Sequence, residues 1–152
     1  MNRVIEFRGK DKKTGKWVYG GFFKHYKRQP CPVDDYDKEE DAVYLIIKSG
    51  EADWNMPRGI EAFEVIPETV GQYTGLEDKT GEKIFEGDII RIGKDVSIVA
   101  YNDGAFGSQK NGVALGNLYH WYKFCKPTHE PYVPEIIGNG SEVPGDDWKG
   151  EG

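Results

Sequence analysis

Glycine and proline occur so often in this chain that long helices are excluded. The 152 residues include 20 glycines and 8 prolines, and both residue types interrupt helices. The segments between them are short and rich in β-branched and aromatic residues, which favour strands. The sequence therefore predicts an all-β protein, with helical turns only around residues 34–41 and 67–73.

Nine segments have the composition of a short strand. They are residues 4–7, 17–23, 43–47, 63–66, 84–85, 89–92, 96–101, 113–115 and 118–124. In the last of these, strict alternation places Leu118 and Tyr122 on one face and Tyr119 and Trp121 on the other. One of the two faces is expected to be core.

An internal echo links the two halves of the chain at a displacement of 66 residues. Residues 11–23 read DKKTGKWVYGGFF, and residues 77–89 read EDKTGEKIFEGDI. Both contain Lys-Thr-Gly followed by an apolar pair and a second glycine. A polar turn whose glycine takes positive φ, then a strand ending at the second glycine, would explain both. The sequence predicts a β-hairpin of one type in each half, although Lys-Thr-Gly turns are common enough to coincide by chance.

Length and cysteine content narrow the class of protein. A chain of this length supports one compact domain or two small lobes. It has no apolar run near 18 residues and begins without the apolar segment of a signal peptide, so a cytoplasmic location in the host cell and no membrane contact are predicted. Cys31 and Cys125 lie far apart without metal-binding spacing and are expected to be reduced thiols.

Charge is distributed unevenly along the chain. Residues 1–30 contain nine Lys or Arg and two acids, whereas residues 31–69 contain eleven acids and three bases, within a net charge of −6. A basic segment attracts phosphate, but it can equally pair with its own acidic neighbour, and an acidic molecule repels nucleic acid at long range. Both interpretations stay open from the sequence.

Four segments together resemble one known family. They are EFRGKDKKTGKWVYGGF at the start, PETVGQYTGLEDKTGEKIFEGDII, the later YNDGAFG and the late EIIGN. This combination resembles the YopX family of phage and prophage proteins over about residues 4–139, and residues 70–90 are its most specific part. The chain departs from the family pattern after Asn139, where it ends in GSEVPGDDWKGEG.

The resemblance implies a fold and an origin but no chemistry. It implies an all-β protein of phage or prophage origin whose C-terminal half is a small, partly open barrel similar to SH3-type barrels. With the strand pattern, it predicts an N-terminal β lobe over residues 1–66, the SH3-like barrel over 67–140, and an acidic, glycine-rich tail over 141–152. It carries over no catalytic residue and no function.

The residues that could support catalysis or metal binding do not form a recognisable motif. His120, Cys125 and His129 could supply zinc ligands, with Cys31 or His25 as a fourth, but strand alternation would place His120 and Cys125 on opposite faces. The acidic run over residues 34–41 lacks the spacing of a calcium loop. No nucleophile elbow or phosphate-binding loop is present. We therefore predict no enzyme activity, no metal and no cofactor.

Binding remains as the expected role, and two kinds of surface residue could provide it. Basic residues of the N-terminal hairpin could meet phosphate or an acidic partner, and aromatic residues near position 120 could stack on bases or proline rings, unless they are core. The sequence predicts a binding or assembly module that contacts a protein partner or a second copy of itself. Unpaired edge strands could join such copies into a homo-oligomer. The alternative is a nucleic-acid-binding protein. The candidate residues are Arg8, Lys10, Lys12, Lys13, Lys16, Lys24, Lys27, Arg28, Tyr119, Trp121, Tyr122 and Lys123.

Overall fold

The computed structural model describes residues 4–28, 39–52, 54–110, 113–118 and 134–141. Within these residues the chain forms eleven strands. They are β1 (Phe7–Lys10), β2 (Trp17–Tyr26), β3 (Ala42–Ser49), β4 (Ile60–Glu64), β5 (Gly71–Glu77), β6 (Lys83–Phe85), β7 (Asp88–Ile92), β8 (Asp95–Asn102), β9 (Ala105–Lys110), β10 (Val113–Asn117) and β11 (Glu135–Asn139). Short 3-10 turns occupy Glu39–Asp41 and Pro67–Thr69. The all-β prediction is confirmed.

The chain divides into two compact units. One comprises Ile5–Val70, and the other comprises Gly71–Gly152 with Met1–Val4. The domain boundary predicted after residue 66 thus lies inside the first unit. Of the predicted tail, residues 142–152 lie outside the described residues.

The N-terminal unit contains an antiparallel sheet in the order β4-β3-β2-β1. One face forms a core around Ile46, which is fully buried, and Phe22, whose ring lies 5.5 Å from that of Phe7 and 6.0 Å from that of Tyr44. Gly20 lies on this face, where an added Cβ would sit 2.1 Å from the carbonyl oxygen of Ile47. Only glycine permits the chain to approach that closely.

The end of β4 returns to the end of β1. Asp11 and Val65 form a single antiparallel bridge, and the N–H of Ile66 donates to the carbonyl oxygen of Lys10 at 2.9 Å. Val65 is fully buried, and an added Cβ at Gly9 would lie 2.9 Å from the Cβ of Val65. The sheet therefore curls until its first and last strands meet at one end.

The C-terminal unit contains a five-stranded antiparallel sheet in the order β10-β9-β8-β7-β11, together with the β5–β6 hairpin. Ile84, Ile90 and Val99 are at most 1% exposed and form its core with Ile92 and Leu118. In the described part of the chain, neither this sheet nor that of the N-terminal unit is closed into a barrel.

A buried carboxylate fixes the junction between β6 and β7. Asp88 is 1% exposed. Its carboxylate accepts hydrogen bonds from the N–H of Phe85 at 2.8 Å and from the side-chain amide of Asn139 at 3.4 Å. Because burying an unpaired carboxylate is costly, these donors are required for the chain to reverse there.

The strand predictions succeed where apolar residues cluster and fail where glycine and polar residues form the strand. β2, β3, β7 and β8 are found at the predicted places, each extending beyond its predicted bounds. β5, β9 and β11 are not among the predicted strands: GQYTGLE and AFGSQK lack a β-branched run, and in EIIGN the Ile-Ile pair is followed at once by Gly-Asn. The predicted segment 4–7 is shifted, because β1 begins only at Phe7. Leu118 is helical where a strand start is predicted, and residues 119–124 are outside the described residues.

Candidate binding surface on the N-terminal unit

The first Lys-Thr-Gly turn is organised by an aspartate. The Asp11 carboxylate accepts hydrogen bonds from the N–H of Lys13 at 3.2 Å and from the hydroxyl of Thr14 at 2.7 Å. The N–H of Gly15, at φ +68°, donates to the carbonyl oxygen of Asp11 at 2.8 Å. The hydrogen bonds from Thr14 and Lys13 lower the pKa of Asp11.

The second turn repeats this design with one residue fewer. One oxygen of the Asp78 carboxylate accepts hydrogen bonds from the N–H and the hydroxyl of Thr80, both at 2.7 Å, and from the N–H of Glu82 at 3.0 Å. Gly81 has φ +87° and donates its N–H to the carbonyl oxygen of Asp78 at 3.1 Å. Burial opposes ionisation of Asp78, but these hydrogen bonds outweigh it and lower the pKa.

In each unit, the lysine after the aspartate binds a distant strand through both its backbone and its side chain. Lys12 donates its N–H to the carbonyl oxygen of Glu64 at 2.9 Å and its ammonium group to the Glu64 carboxylate at 2.7 Å. Lys79 donates its N–H to the carbonyl oxygen of Pro134 at 3.0 Å and its ammonium group to the Glu135 carboxylate at 2.9 Å. The sequence echo therefore corresponds to a repeated turn and to a repeated contact, in which one lysine binds a distant segment through both its N–H and its ammonium group.

The strands that leave the two turns differ. The prediction that a strand ends at the second glycine is confirmed for β6, which ends at Phe85 just before the Glu86-Gly87 turn. It is wrong for β2, which continues through Gly20 and Gly21 to Tyr26. The reason is that β2 pairs with β1 along its first half and with β3 along its second half.

One face of β2 presents rings. We define the aromatic row as Trp17, Tyr19, Phe23 and His25, which alternate along the strand and so share a face. Tyr19 is 44% exposed and Phe23 is 51% exposed. The rings of Phe23 and His25 are nearly parallel, with centroids 6.3 Å apart. The middle of a strand thus carries large apolar groups that contact water.

Arg8 and Lys10 lie beside the start of the aromatic row. Across the β1–β2 pair, Arg8 lies opposite Tyr19 and Lys10 opposite Trp17. The Arg8 guanidinium lies 4.6 Å from the centre of the Trp17 ring, and the Lys10 ammonium lies 5.4 Å from it. Both distances allow cation–π attraction. Arg8 is buried and Lys10 is half-buried.

Lys12, Lys24 and Arg28 pair with acids of their own unit. Lys12 binds Glu64, as described above. The Lys24 ammonium lies 2.6 Å from the Glu39 carboxylate, which also accepts a hydrogen bond from Tyr44. Arg28 binds Asp41 at 2.8 Å.

The pKa values of two of these pairs follow from their contacts. The hydrogen bond to Glu39 raises the pKa of Lys24 and lowers that of Glu39. The ammonium group of Lys12 likewise lowers the pKa of Glu64. The intramolecular pairing that the sequence left open is therefore present at Lys12, Lys24 and Arg28 within the described part of the chain.

Lys13, Lys16 and Lys27 differ from the other basic candidates. They are exposed, and among the described residues none of the three forms a side-chain ion pair. Lys16 immediately precedes the aromatic row and Lys27 follows β2. Exposed lysines thus precede and follow the strand that carries the row, and Lys27 and Lys13 are also near enough to Glu64 to help lower the pKa of that carboxyl. The predicted aromatic candidates Tyr119, Trp121, Tyr122 and Lys123 lie outside the described residues and stay predictions.

Acidic residues are missing from three neighbouring strands. β1, β2 and β3 read FRGK, WVYGGFFKHY and AVYLIIKS, without an Asp or Glu. The chain as a whole has 26 acids and 20 Lys or Arg. The acids of this unit that pair with these strands or with Arg28 lie in the 3-10 turn and in β4. The aromatic row therefore lies in a locally basic part of an acidic protein.

A second apolar patch lies in the connection between β3 and β4 and on the first residue of β4. Trp54 is 96% exposed, Met56 69% and Ile60 82%. The N–H of Gly50 donates to the carbonyl oxygen of Gly59 at 2.8 Å and closes this loop. The aromatic row differs because its side chains project from a paired strand with fixed spacing.

The metal sites considered from the sequence find few of their residues in the described part of the chain. No group of three His, Cys, Asp or Glu side chains there is arranged to hold a metal ion. Of the candidate zinc ligands only His25 is described, and it belongs to the aromatic row. No helix in the described ranges has the length and hydropathy needed to cross a membrane.

The sequence contains the signal for the aromatic row, although residues 17–23 by themselves predict only a strand. Residues 17–25 read WVYGGFFKH, with rings at positions 17, 19, 23 and 25 and glycine at 21. A two-residue period of rings on one face, opposite Val18 and Phe22, is the pattern of a strand with two apolar faces. A single sheet needs only one apolar face to form its core. A second apolar face therefore indicates a contact surface.

Comparison with known proteins gives a family and one similar solved structure. The family model described as YopX protein matches residues 6–144. A search of curated proteins found no match. The crystal structure of protein EF1440 from Enterococcus faecalis is 19% identical, with a TM-score of 0.47, over 91% of this chain and 94% of that chain.

Proposed function

This chain belongs to the YopX family, and we propose that it is a phage- or prophage-encoded binding or assembly module that performs no chemistry of its own. It acts in the cytoplasm of the host cell. The observation that carries the proposal is the exposure of Tyr19 and Phe23 in the middle of a paired strand. Fully burying an exposed large apolar side chain is worth about 1.5–3 kcal/mol, and because both rings are about half exposed, a partner that covers them would gain about half of that at each.

The ionisable groups support a binding role over a catalytic one. Asp11 and Asp78 have lowered pKa values because they organise turns, and Glu39 and Glu64 because they pair with lysines. Structural hydrogen bonds and ion pairs account for these shifts without a reactive centre. The aromatic row contains no carboxylate to act with His25.

The C-terminal unit supports the finer assignment of an open SH3-like barrel. Strands β7 to β10 form a meander in which each strand pairs with the next, and β11 returns to pair with β7. Short antiparallel strands in this order curl readily into a small barrel. In the proposal this unit is the stable body that accompanies the binding surface.

Native mass spectrometry of the full chain isolated from cells that produce it tests the proposal. We expect a stoichiometric macromolecular partner, or a second copy, that the variant Tyr19→Thr/Phe23→Thr loses. Threonine favours strands, so the fold is retained. The control Trp54→Thr/Met56→Thr removes two large apolar side chains that are even more exposed, at 96% and 69%, and should keep the partner. A bare monomer for the wild type, or a partner retained by the β2 variant, would contradict the proposal.

A further inference from the structure

The aromatic row is better suited to flat, negatively charged ligands than to an apolar protein surface. We infer that it binds single-stranded nucleic acid, with bases stacking on Tyr19, Phe23 and His25. This inference rests on the proposed function and names its ligand class. Aromatic side chains on a sheet stack bases of any sequence, because every base has a π-face.

The spacing of the row fits successive bases. Phe23 and His25 have nearly parallel rings 6.3 Å apart. Tyr19 is four residues from Phe23, which is roughly 13 Å along a strand at about 3.3 Å per residue. Gly21 lies between them on the same face and is exposed. The glycine leaves an open interval between two exposed rings.

The charges around the row fit a phosphate backbone. Within β1, β2 and β3 there is no carboxylate to repel phosphate. Lys16 lies directly before the row and Lys27 directly after β2, both exposed and outside the ion pairs of the described residues. Lys13 lies in the turn beside Lys16. A strand of nucleic acid along β2 would therefore meet ammonium groups at both ends.

The remaining basic candidates have a different role. Lys12, Lys24 and Arg28 are held by Glu64, Glu39 and Asp41. A ligand would have to break those pairs to use them. The basic residues predicted from sequence thus divide into Lys12, Lys24 and Arg28, which form ion pairs, and Lys13, Lys16 and Lys27, which form none with the described residues.

Fluorescence anisotropy with labelled oligonucleotides tests the inference on the full chain. The probes are oligothymidylate and oligouridylate of about 12 nucleotides, within the 4–16 nucleotides bound by comparable β surfaces. A duplex of equal length is the control. We expect the single strands to bind more tightly than the duplex. If three phosphates are contacted, the dissociation constant should rise roughly 20-fold between about 50 and 200 mM salt.

Three variants locate the site. Tyr19→Thr/Phe23→Thr should weaken binding on the order of 10- to 100-fold. Lys16→Ser should lower the logarithmic salt slope by about 0.7. Lys12→Ser changes the net charge equally but removes a lysine already paired with Glu64, so it should leave that slope unchanged.

Failure of the inference is distinct from failure of the proposed function. No binding at about 50 mM salt, where phosphate contacts are strong, or equal binding by the β2 double variant, overturns the inference. If that variant also loses a protein partner in native mass spectrometry, the binding role stands and the ligand is a protein. If neither experiment finds a ligand at β2, both proposals fall.

Discussion

Tyr19 and Phe85 each follow a Lys-Thr-Gly turn at the same distance, yet Tyr19 is 44% exposed and Phe85 only 2%. The two turns are built alike, with an aspartate that organises the loop and a lysine that binds a distant strand. In the C-terminal unit the strand after the turn is three residues long and its apolar pair is core. In the N-terminal unit it is ten residues long and exposes a row of rings. One local design therefore serves folding in one unit and leaves a surface available for contact in the other.

The largest effect on stability is expected at Phe85, the buried counterpart of Tyr19. Phe85→Ala should lower the free energy of unfolding by about 3–5 kcal/mol, because it removes a buried ring that packs 5.6 Å from Tyr73. Urea denaturation followed by tryptophan fluorescence measures it. If the free energy of unfolding falls by less than about 1 kcal/mol, position 85 tolerates truncation as a surface position does. The contrast between a buried Phe85 and an exposed Tyr19 would then be wrong.

Asp78 should matter more than Asp11, because its carboxylate also reaches β11. The second oxygen of Asp78 accepts the N–H of Ile136 at 3.4 Å, whereas the Asp11 carboxylate serves its own loop. Asp78→Ala should cost about 2 kcal/mol, since several donors lose a charged acceptor. Asp11→Ala should cost less. Equal losses in parallel denaturation curves would show that the bond to β11 contributes nothing.

The Asp78 carboxylate should also make the stability of the protein sensitive to acid. The folded-state pKa of Asp78 is lowered, so the stability it provides is present above its ordinary pKa near 3.8 and is lost as the pH falls through the folded value. Asp78→Ala should therefore show a smaller decrease in melting temperature than the wild type on going from about pH 5 to pH 3. Identical decreases would exclude Asp78 as a source of acid sensitivity.

The turn glycines should have intermediate effects that arise from backbone conformation alone. Gly81 has φ +87° and Gly15 φ +68°, and an added Cβ at either would find open space. Replacement by alanine should cost about 1 kcal/mol at each position. Asparagine, which tolerates positive φ, should recover part of the loss. Gly20→Ala is the contrasting case, since its Cβ would collide with a backbone oxygen, and it should cost more than either turn variant.

Replacing Lys12 or Lys79 should have the smallest effect on the free energy of unfolding. The Lys12–Glu64 and Lys79–Glu135 pairs are about half exposed, and exposed ion pairs contribute about 0.5 kcal/mol or less. Double-mutant cycles with Lys12→Met and Glu64→Gln, and with Lys79→Met and Glu135→Gln, measure each coupling. Both should diminish at high salt. A coupling above about 1.5 kcal/mol in only one unit would show that the two ion pairs are not equivalent.

Sequence reasoning found the fold class and the repeated turn because both depend on local residue preferences. Gly15 and Gly81 mark positive φ, and the apolar runs around Ile46 and Ile90 mark buried strands. It could not find the distant contacts of Lys12 and Lys79, since their partners Glu64 and Pro134 are more than 50 residues away along the chain. It missed β5 and β9, which have few β-branched residues and pair through hydrogen bonds that neighbouring strands supply, and it did not extend the Ile136-Ile137 pair of β11 into a strand.

The candidate site was partly foreseeable. The basic residues of the N-terminal segment were identified, but their pairing with Glu39, Glu64 and Asp41 depends on tertiary contacts that no spacing rule contains. The aromatic row was visible as a two-residue period in WVYGGFFKH. What the sequence could not give is which face of β2 is core, because both faces carry rings.

The aromatic row can be a binding surface only if its rings are not needed for folding, and the free energy of unfolding of Tyr19→Thr/Phe23→Thr tests this most directly. If both rings lie on an exposed face of a strand that threonine also favours, the variant should unfold within about 1 kcal/mol of the wild type in urea. If it loses about 3 kcal/mol or more, as buried aromatic residues do, the two rings belong to the core and the row is not a binding surface.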